Sequence, residues 1–286
     1  MGGQGWTDLE VTAVADRPGH FTAELAPRWM LVVVPQGGAV AALAARAMAA
    51  VLDAPDQRLR SLSAVFAGQV ALGPVEIEVT VLRRGRSMSQ LSATVTSPGQ
   101  AAGLTALGVF GATRRGFEFT DLEFPPVDGP EGLRSFRDPL PDDIDFTFPH
   151  PLLPFWEQVI DSRPATGRAP WEPFEPGPAE LAYWYRLDDP PLDADGRLDA
   201  AGAIVLCDTM PGAVSQKVGQ EEWFGPSADF TIHLFEPARP GWLLAHNRAR
   251  HAGDGYASVD MALWDPVDRH LVAYATQVVF FAFNLG

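Results

Sequence analysis

The chain has 286 residues, 47% of them apolar, which is enough to build the core of one large domain or of two domains of ordinary size. Its 21 basic and 36 acidic residues give a net charge of −15, which argues against a nucleic acid as a partner. Its one cysteine, Cys207, excludes a disulfide within the chain, and the first residues do not resemble a signal sequence. We therefore expect a globular protein of the cytoplasm.

The first half opens with an alanine-rich segment that predicts a helix over residues 36–52. A proline and a glycine pair mark its start, and eight alanines lie between positions 39 and 50. A helix that is apolar nearly all round has to be surrounded by other elements. The longest apolar run of the chain lies inside this segment, contains Arg46 and is shorter than the roughly 20 residues that cross a bilayer, so no membrane span is expected.

Four β-rich runs follow the predicted helix, at residues 58–70, 75–82, 87–96 and 102–112. The turns between them are short and contain glycine and proline, which favours antiparallel pairing.

Residues 125–178 differ in composition from the rest of the chain, because they hold 13 of its 26 prolines together with acidic and aromatic residues. We interpret this stretch as a linker between domains. Its aromatic residues favour a strap packed across the surface over a disordered tether, since disordered segments are poor in such residues.

The second half repeats the order of the first. A strand-like run at 180–187 precedes a second apolar helical segment at 198–214, and further strand-like runs follow at 228–236, 242–251, 256–264 and 271–283. Residues 36–113 and 198–283 therefore look like two copies of one unit, with a site between or within them. We predict an α+β fold of two tandem domains, each an antiparallel sheet wrapped around a central apolar helix, with boundaries at 1–124, 125–178 (the linker) and 179–286.

Two polar residues stand out in apolar surroundings. Asp208 lies in the sequence AIVLCDTMPG, where an ionised carboxylate is costly unless other groups hydrogen-bond to it. It is either a functional acid with a shifted pKa or a cap of the turn that follows it. Gln277 is the strongest polar group on one face of the last predicted strand, where it either orients a water or a carbonyl or serves as a structural amide.

The run at 226–233 alternates between polar and apolar residues, a pattern that places Ser227, Asp229, Thr231 and His233 on one face of a strand. The same pattern is typical of any solvent-facing strand. More familiar signatures are missing from the sequence: it has no Gly-x-Ser-x-Gly elbow, P-loop, Gly-rich dinucleotide fingerprint or His-Glu-x-x-His helix, and its six histidines do not cluster.

The order of these segments resembles the type II acyl-CoA thioesterases, a family of proteins with two fused hotdog domains. PQGGAVAALAARAM resembles the family's first hotdog helix, and SLSAVFAGQV with LGPVEIEVTVLRRGRSMSQLSATV resembles its first three strands. GAIVLCDTMP, PSADFTIHLF and LVAYATQ resemble the segments that bear the family's aspartate, hydroxyl residue and glutamine. The resemblance implies a double-hotdog fold and the hydrolysis of medium- to long-chain fatty acyl-CoA to free acid and CoA.

Carried over by position, the family's carboxylate falls on Asp208, its glutamine on Gln277 and its hydroxyl on Ser227, with Thr231 as the alternative hydroxyl. The best-known members have threonine at the position of Ser227, and serine supplies the same hydroxyl. The implied mechanism is that the three residues hold and activate one water, with Asp208 as its base, which attacks the thioester directly. It requires neither a metal nor an organic cofactor.

The resemblance also implies contacts with the substrate. A backbone N–H at the start of the first helix, at Gly38, is expected to polarise the thioester carbonyl. The turn that contains Arg86 and Ser87 is expected to meet the phosphates of CoA. The competing hypotheses are a non-catalytic protein that binds or senses acyl-CoA and a hotdog hydratase or dehydratase, whose Asn-Pro-x-His-type motif is absent here. Because the family usually pairs its sheets, a homodimer is expected.

Overall fold

The computed structural model of the chain describes residues 6–139, 153–219 and 223–283. After a 3₁₀ turn at Thr7–Leu9, the first half forms β1 (Thr12–Ala13), β2 (His20–Leu25), a 3₁₀ turn at Pro27–Trp29, α1 (Gly37–Leu52), β3 (Arg58–Phe66), β4 (Gly73–Arg83), β5 (Met88–Thr96) and β6 (Leu104–Gly111). The remainder forms α2 (Pro154–Gln158), β7 (Ile160–Thr166), β8 (Glu180–Leu187), α3 (Ala200–Cys207), α4 (Gly212–Val218), β9 (Trp223–Phe224), β10 (Asp229–Leu234), β11 (Leu243–Gly253), β12 (Tyr256–Asp265), β13 (His270–Phe280) and β14 (Ala282–Phe283).

The strands of the two halves join into one antiparallel sheet. Its strand order is β1-β2-β4-β5-β6-β3-β10-β13-β12-β11-β8-β7, while β9 and β14 pair separately. The halves meet where β3 pairs with β10, and Ser63 lies opposite Thr231 at this seam. The expected α+β architecture, in which an antiparallel sheet packs on a central apolar helix in each half, is confirmed.

The first central helix, α1, begins and ends at residues suited to those positions. The side chain of Gln36 caps its start by accepting the Ala39 N–H at 2.7 Å. Asp53 ends it in the left-handed conformation, with φ of 45°. Most of the helix is buried, and its many alanines let both the sheet and a second helix pack close to it.

The two central helices lie side by side and antiparallel. Gly38 at the start of α1 contacts Asp208 at the end of α3, whereas Arg46 farther along α1 pairs with Asp199 at the start of α3, at 3.4 Å. The carboxyl end of one central helix therefore faces the amino end of the other, at the boundary between the two halves.

The prediction of a single helix at 198–214 is wrong. The structure has two helices there, α3 and α4, separated by the residues around Asp208 and Pro211. Pro211 has no N–H to donate and its ring obstructs a continuing helix, so it sits at the start of α4 instead. The break releases Asp208 from regular helix geometry, with φ −92° and ψ 44°.

The stretch interpreted as a linker contributes α2 and β7, two elements that its proline-rich sequence does not predict. β7 is an edge strand, a position that tolerates Pro164. Near the amino-terminal start of this stretch, Phe124 packs against Trp264, and the Trp184 indole donates to the Asp128 carbonyl at 2.9 Å. This part of the chain packs as a strap on the outer face of the sheet in the second half, against Trp184, Leu244 and Trp264. The domain boundaries themselves stay a prediction.

None of the helices in the described residues combines the length and the apolar composition needed to cross a membrane.

Candidate active site

Asp208 lies at the boundary between the halves and is held by both of them. The residue as a whole is 9% exposed. One oxygen, Oδ2, accepts the backbone N–H of Gly38 from the first half at 2.6 Å, and the other, Oδ1, accepts from Nε2 of Gln277 at 2.5 Å. The break after α3 and the start of α1 thus bring a carboxylate to a helix N-terminus, where backbone N–H groups and the helix dipole favour negative charge.

The glycine pair at the start of α1 permits this close approach. A Cβ atom on Gly38 would lie 2.9 Å from both the Cβ of Asp208 and the carbonyl oxygen of Ile204. A Cβ on Gly37 would lie 2.8 Å from the ring of Phe66. The Gly38 N–H, which the sequence analysis assigned to the substrate carbonyl, is donated to Asp208 in the structure.

Gln36 is a residue of the site that sequence reasoning missed. It is fully buried, and its Nε2 donates to the carbonyls of Val205 at 3.0 Å and Asp208 at 3.1 Å while its Oε1 caps α1. One amide therefore ties the start of α1 to the end of α3. The signal in the sequence is a polar residue at the cap position directly before an apolar helix, but the sequence does not reveal its partner in the other half.

Gln277 and Ser227 complete the cluster around the carboxylate. Gln277 lies on β13, is 1% exposed, and donates from Nε2 to both Asp208 and the hydroxyl oxygen of Ser227. Its Oε1 is buried and has no hydrogen-bond partner among the described residues. The structure therefore brings together the three residues to which the resemblance assigned the family's aspartate, hydroxyl and glutamine.

Thr231 lies on the opposite face of the sheet. Ser227 is opposite Val279, which shares a face with Gln277, whereas Thr231 is opposite Thr276, which does not. The Thr231 hydroxyl donates to Ser63 on the outer surface. The expectation that alternation puts both hydroxyls on one face is wrong, because the register of pairing with β13 shifts by one residue between them.

Burial raises the pKa of Asp208 to about 6, since loss of water penalises the charged form. Hydrogen bonds from Gly38, Gln277, Ser227 and Gly37, in decreasing order of effect, pull the pKa back down. The outcome is a carboxylate that is ionised at neutral pH and still basic enough to accept a proton.

A cavity of about 570 Å³ opens beside this carboxylate. Asp208 and Ser227 belong to its wall, and Gln277 lies behind them. Both halves contribute apolar side chains to the wall, among them Val40, Phe66, Phe155, Trp156, Leu181, Tyr185 and Phe280. Such a cavity suits an apolar chain whose reactive end reaches the carboxylate.

Arg86 and Ser87 are not brought to this cluster. They occupy the turn between β4 and β5. In the same turn, Arg84 donates to the carbonyls of Val51 and Leu52, at the end of α1 far from Gly38. The 16 residues of α1 separate the two ends by about 24 Å. A role for Arg86 and Ser87 in binding CoA stays a prediction.

The described residues contain no group of three His, Cys, Asp or Glu side chains placed to hold a metal ion. The polar groups at the site are instead a carboxylate, a hydroxyl and two amides, and with these the arrangement can hold a water and remove its proton.

Models of one protein family match both halves of the chain. The family model described as the acyl-CoA thioesterase C-terminal domain matches residues 130–281, and the one described as the N-terminal domain matches residues 25–111. The C-terminal match begins inside the stretch interpreted as a linker. No curated protein sequence matches the chain.

Solved structures show the same fold over nearly the whole chain. A hot dog fold protein of unknown function from Alicyclobacillus acidocaldarius is 25% identical, with a TM-score of 0.76 and 97% of each chain covered. A putative thioesterase from Novosphingobium aromaticivorans is 24% identical, with a TM-score of 0.72 and coverage of 93% of this chain and 97% of that one. A putative thioesterase II from Thermobifida fusca is 20% identical, with a TM-score of 0.77 and 98% of each chain covered. With two matching domain models and a double-hotdog fold, the chain belongs to the acyl-CoA thioesterase family and is a thioester hydrolase.

Proposed function

We propose that the protein hydrolyses medium- to long-chain fatty acyl-CoA by direct attack of a water that Asp208 activates. The observation that carries the proposal is the position of this carboxylate. It lies on the wall of an apolar cavity, its pKa is raised to about 6, and the Ser227 hydroxyl is beside it.

In the proposed reaction a water binds between the Asp208 carboxylate and the Ser227 hydroxyl. Asp208 takes a proton from the water as its oxygen bonds to the thioester carbonyl carbon. The tetrahedral intermediate then breaks its C–S bond, and the proton on Asp208 passes to the departing CoA sulfur. Atoms and charge balance, and the carboxylate is restored for the next turnover.

Gln277 acts as a positioning residue in this scheme. It lies behind the two groups on the cavity wall and donates to both of them, so it fixes the distance between the base and the hydroxyl. Such a fixed pair lowers the barrier because the water is held before it reacts.

The acyl group enters the cavity between the halves. Its volume of about 570 Å³ lies within the range of about 300–1,000 Å³ for pockets that enclose whole ligands. The apolar side chains along its wall favour a hydrocarbon chain, since burying each methylene contributes about 0.8 kcal/mol. This size and composition support medium to long chains.

Thiol release from acyl-CoAs of increasing chain length tests the proposal. The native protein should turn over medium and long chains fastest, and Asp208→Asn should lower kcat at least about a hundredfold, within the range for loss of a general base. Asp254→Asn, in an exposed turn, is the matched control for removing one carboxylate.

Two results would contradict the proposal. Undiminished turnover by Asp208→Asn would place the base elsewhere. Measurable binding of acyl-CoA without any turnover by the native protein would favour the binding or sensing hypothesis instead. Homodimerisation and a cytoplasmic location stay predictions.

A further inference from the structure

The cavity wall carries a second charged residue that the proposed hydrolysis does not use. Among the described residues that line the cavity, only Asp208 and Arg168 are charged. Arg168 lies on the loop after β7 and is half-buried. No carboxylate of the described residues is within ion-pair distance of its guanidinium group.

The backbone of Arg168 is clamped in place by two side chains. Its N–H donates to Oε1 of Gln216 at 2.6 Å, and its carbonyl accepts from Nε2 of Gln216 at 3.1 Å. The hydroxyl of Tyr183 donates to the same carbonyl at 2.8 Å. Three hydrogen bonds to one residue's backbone fix its position on the cavity wall.

The guanidinium group is held by neutral groups. Nη1 donates to the carbonyls of Ala169 at 3.4 Å and Glu172 at 3.1 Å, and the group lies 5.2 Å from the centre of the Phe174 ring. Its Nε is buried and has no hydrogen-bond partner among the described residues. The nearby carboxylate of Glu172 accepts the Ala169 N–H at 2.7 Å instead of forming an ion pair with the guanidinium group. The contacts to the guanidinium group therefore orient the cation without an ion pair among the described residues.

The half-buried guanidinium on the cavity wall has no ion-pair partner among the described residues, so it is available to an anion that enters the cavity. The chain as a whole has a net charge of −15, which repels anionic ligands at long range, so an anionic group needs a local cation to bind. A positioned guanidinium binds carboxylate or phosphate oxygens through charge-assisted hydrogen bonds.

We infer that Arg168 is a specificity-determining residue that binds an anionic oxygen group of the substrate away from the thioester. The group is either a phosphate of CoA or a carboxylate carried by the acyl chain. This inference rests on the proposed function, because it takes the cavity as the place where the substrate lies. It gives the anion-binding role to an arginine on the cavity wall, whereas Arg86 is exposed in a turn at the far end of α1.

The test compares three thioesters with related acyl groups: an acyl-CoA, the same acyl group on N-acetylcysteamine, which has no phosphate, and the corresponding ω-carboxyacyl-CoA. The proteins are the native chain, Arg168→Gln, Arg168→Lys, Arg86→Gln and, as the charge control, Arg114→Gln. For a phosphate, Arg168→Gln should lower the ratio of kcat/KM for the CoA ester to that for the N-acetylcysteamine ester about 10- to 100-fold. If Arg168 binds a carboxylate instead, Arg168→Gln should lower the ratio of kcat/KM for the ω-carboxyacyl-CoA to that for the plain acyl-CoA by the same factor. Arg168→Lys, which keeps the charge, should retain part of either ratio.

The inference is wrong if both ratios stay within twofold of native in Arg168→Gln, or if Arg86→Gln causes the fall instead. An equal loss on all three substrates would assign Arg168 a structural role only. Calorimetric titration measures binding without turnover. The ligands are CoA, a dicarboxylic acid and the monocarboxylic acid of the same length. If the native protein hydrolyses nothing, the proposed function fails, while weaker binding of one anion by Arg168→Gln still supports the inference and unchanged binding of both overturns it.

Discussion

Replacing Asp208 with asparagine should stabilise the folded protein at neutral pH while it abolishes the base. Burial raises the pKa of the carboxyl from 3.8 to about 6, so the ionised form is less favourable in the folded protein than in the unfolded chain. Between these two values the folded state binds more protons than the unfolded state, and the free energy of unfolding therefore falls as the pH rises. A difference of about two between the two pKa values corresponds to about 3 kcal/mol above pH 6.

Asparagine removes this penalty because it carries no charge at any pH. Its amide oxygen can accept the Gly38 N–H in place of Oδ2. Its amide nitrogen would meet a second donor at Gln277 Nε2, but rotation of the Gln277 amide would present Oε1, which has no partner among the described residues. The substitution can thus be accommodated within the existing cluster.

Urea unfolding of both proteins at pH 4 and pH 8 measures the effect. Other titrating groups cancel when the variant is compared with the native protein at each pH. The variant's advantage in unfolding free energy should grow by about 2.4 kcal/mol between pH 4 and pH 8, because at pH 4 part of the full difference is already present. An advantage that stays the same at both values would refute the reasoning, because Asp208 would then have an ordinary pKa in the folded protein.

Three further substitutions test other parts of the site. Gly38→Ala should lower both the melting temperature and kcat, because its Cβ would collide with backbone and with the carboxylate side chain, whereas Gly116→Ala, which has open space, should lower neither. Gln277→Leu should raise the apparent pKa in the pH profile of kcat/KM and lower kcat/KM about tenfold, since it removes a donor to the carboxylate, and an unmoved pKa would contradict this. Ser227→Ala should lower kcat/KM about tenfold and Thr231→Val should lower it less; the reverse order would place the hydroxyl of the site on Thr231.

The repeated pattern of an apolar helix and four strands was predictable from the sequence because it depends on local periodicity. Alanine at most positions of 39–50 indicated a helix enclosed on all sides, and α1 is largely buried. The sequence also shows an aspartate at the end of an aliphatic helix and a glutamine on an apolar strand. Burying either polar group costs free energy unless it is hydrogen-bonded, so both stand out. The sequence alone left a structural role open for each, and it is their contact with each other that favours the functional interpretation.

Other features depend on contacts between distant segments, which local patterns do not encode. Strict alternation placed Ser227 and Thr231 on one face, and a one-residue shift in pairing with β13 separates them. The sequence places Gln36 only at the start of the predicted helix, and its bonds to α3 follow only from the docking of the two halves. Within the proline-rich stretch, β7 forms because an edge position beside β8 tolerates proline.

The pH dependence of kcat/KM for the preferred acyl-CoA tests the central claim most directly, because it reports the ionisation of the free enzyme's base. We predict that kcat/KM rises with pH through an apparent pKa of about 6 and that the remaining activity of Asp208→Asn lacks this rise. A native profile that is flat between pH 5 and 8, or the same rise in Asp208→Asn, would contradict the assignment of Asp208 as the base that activates water.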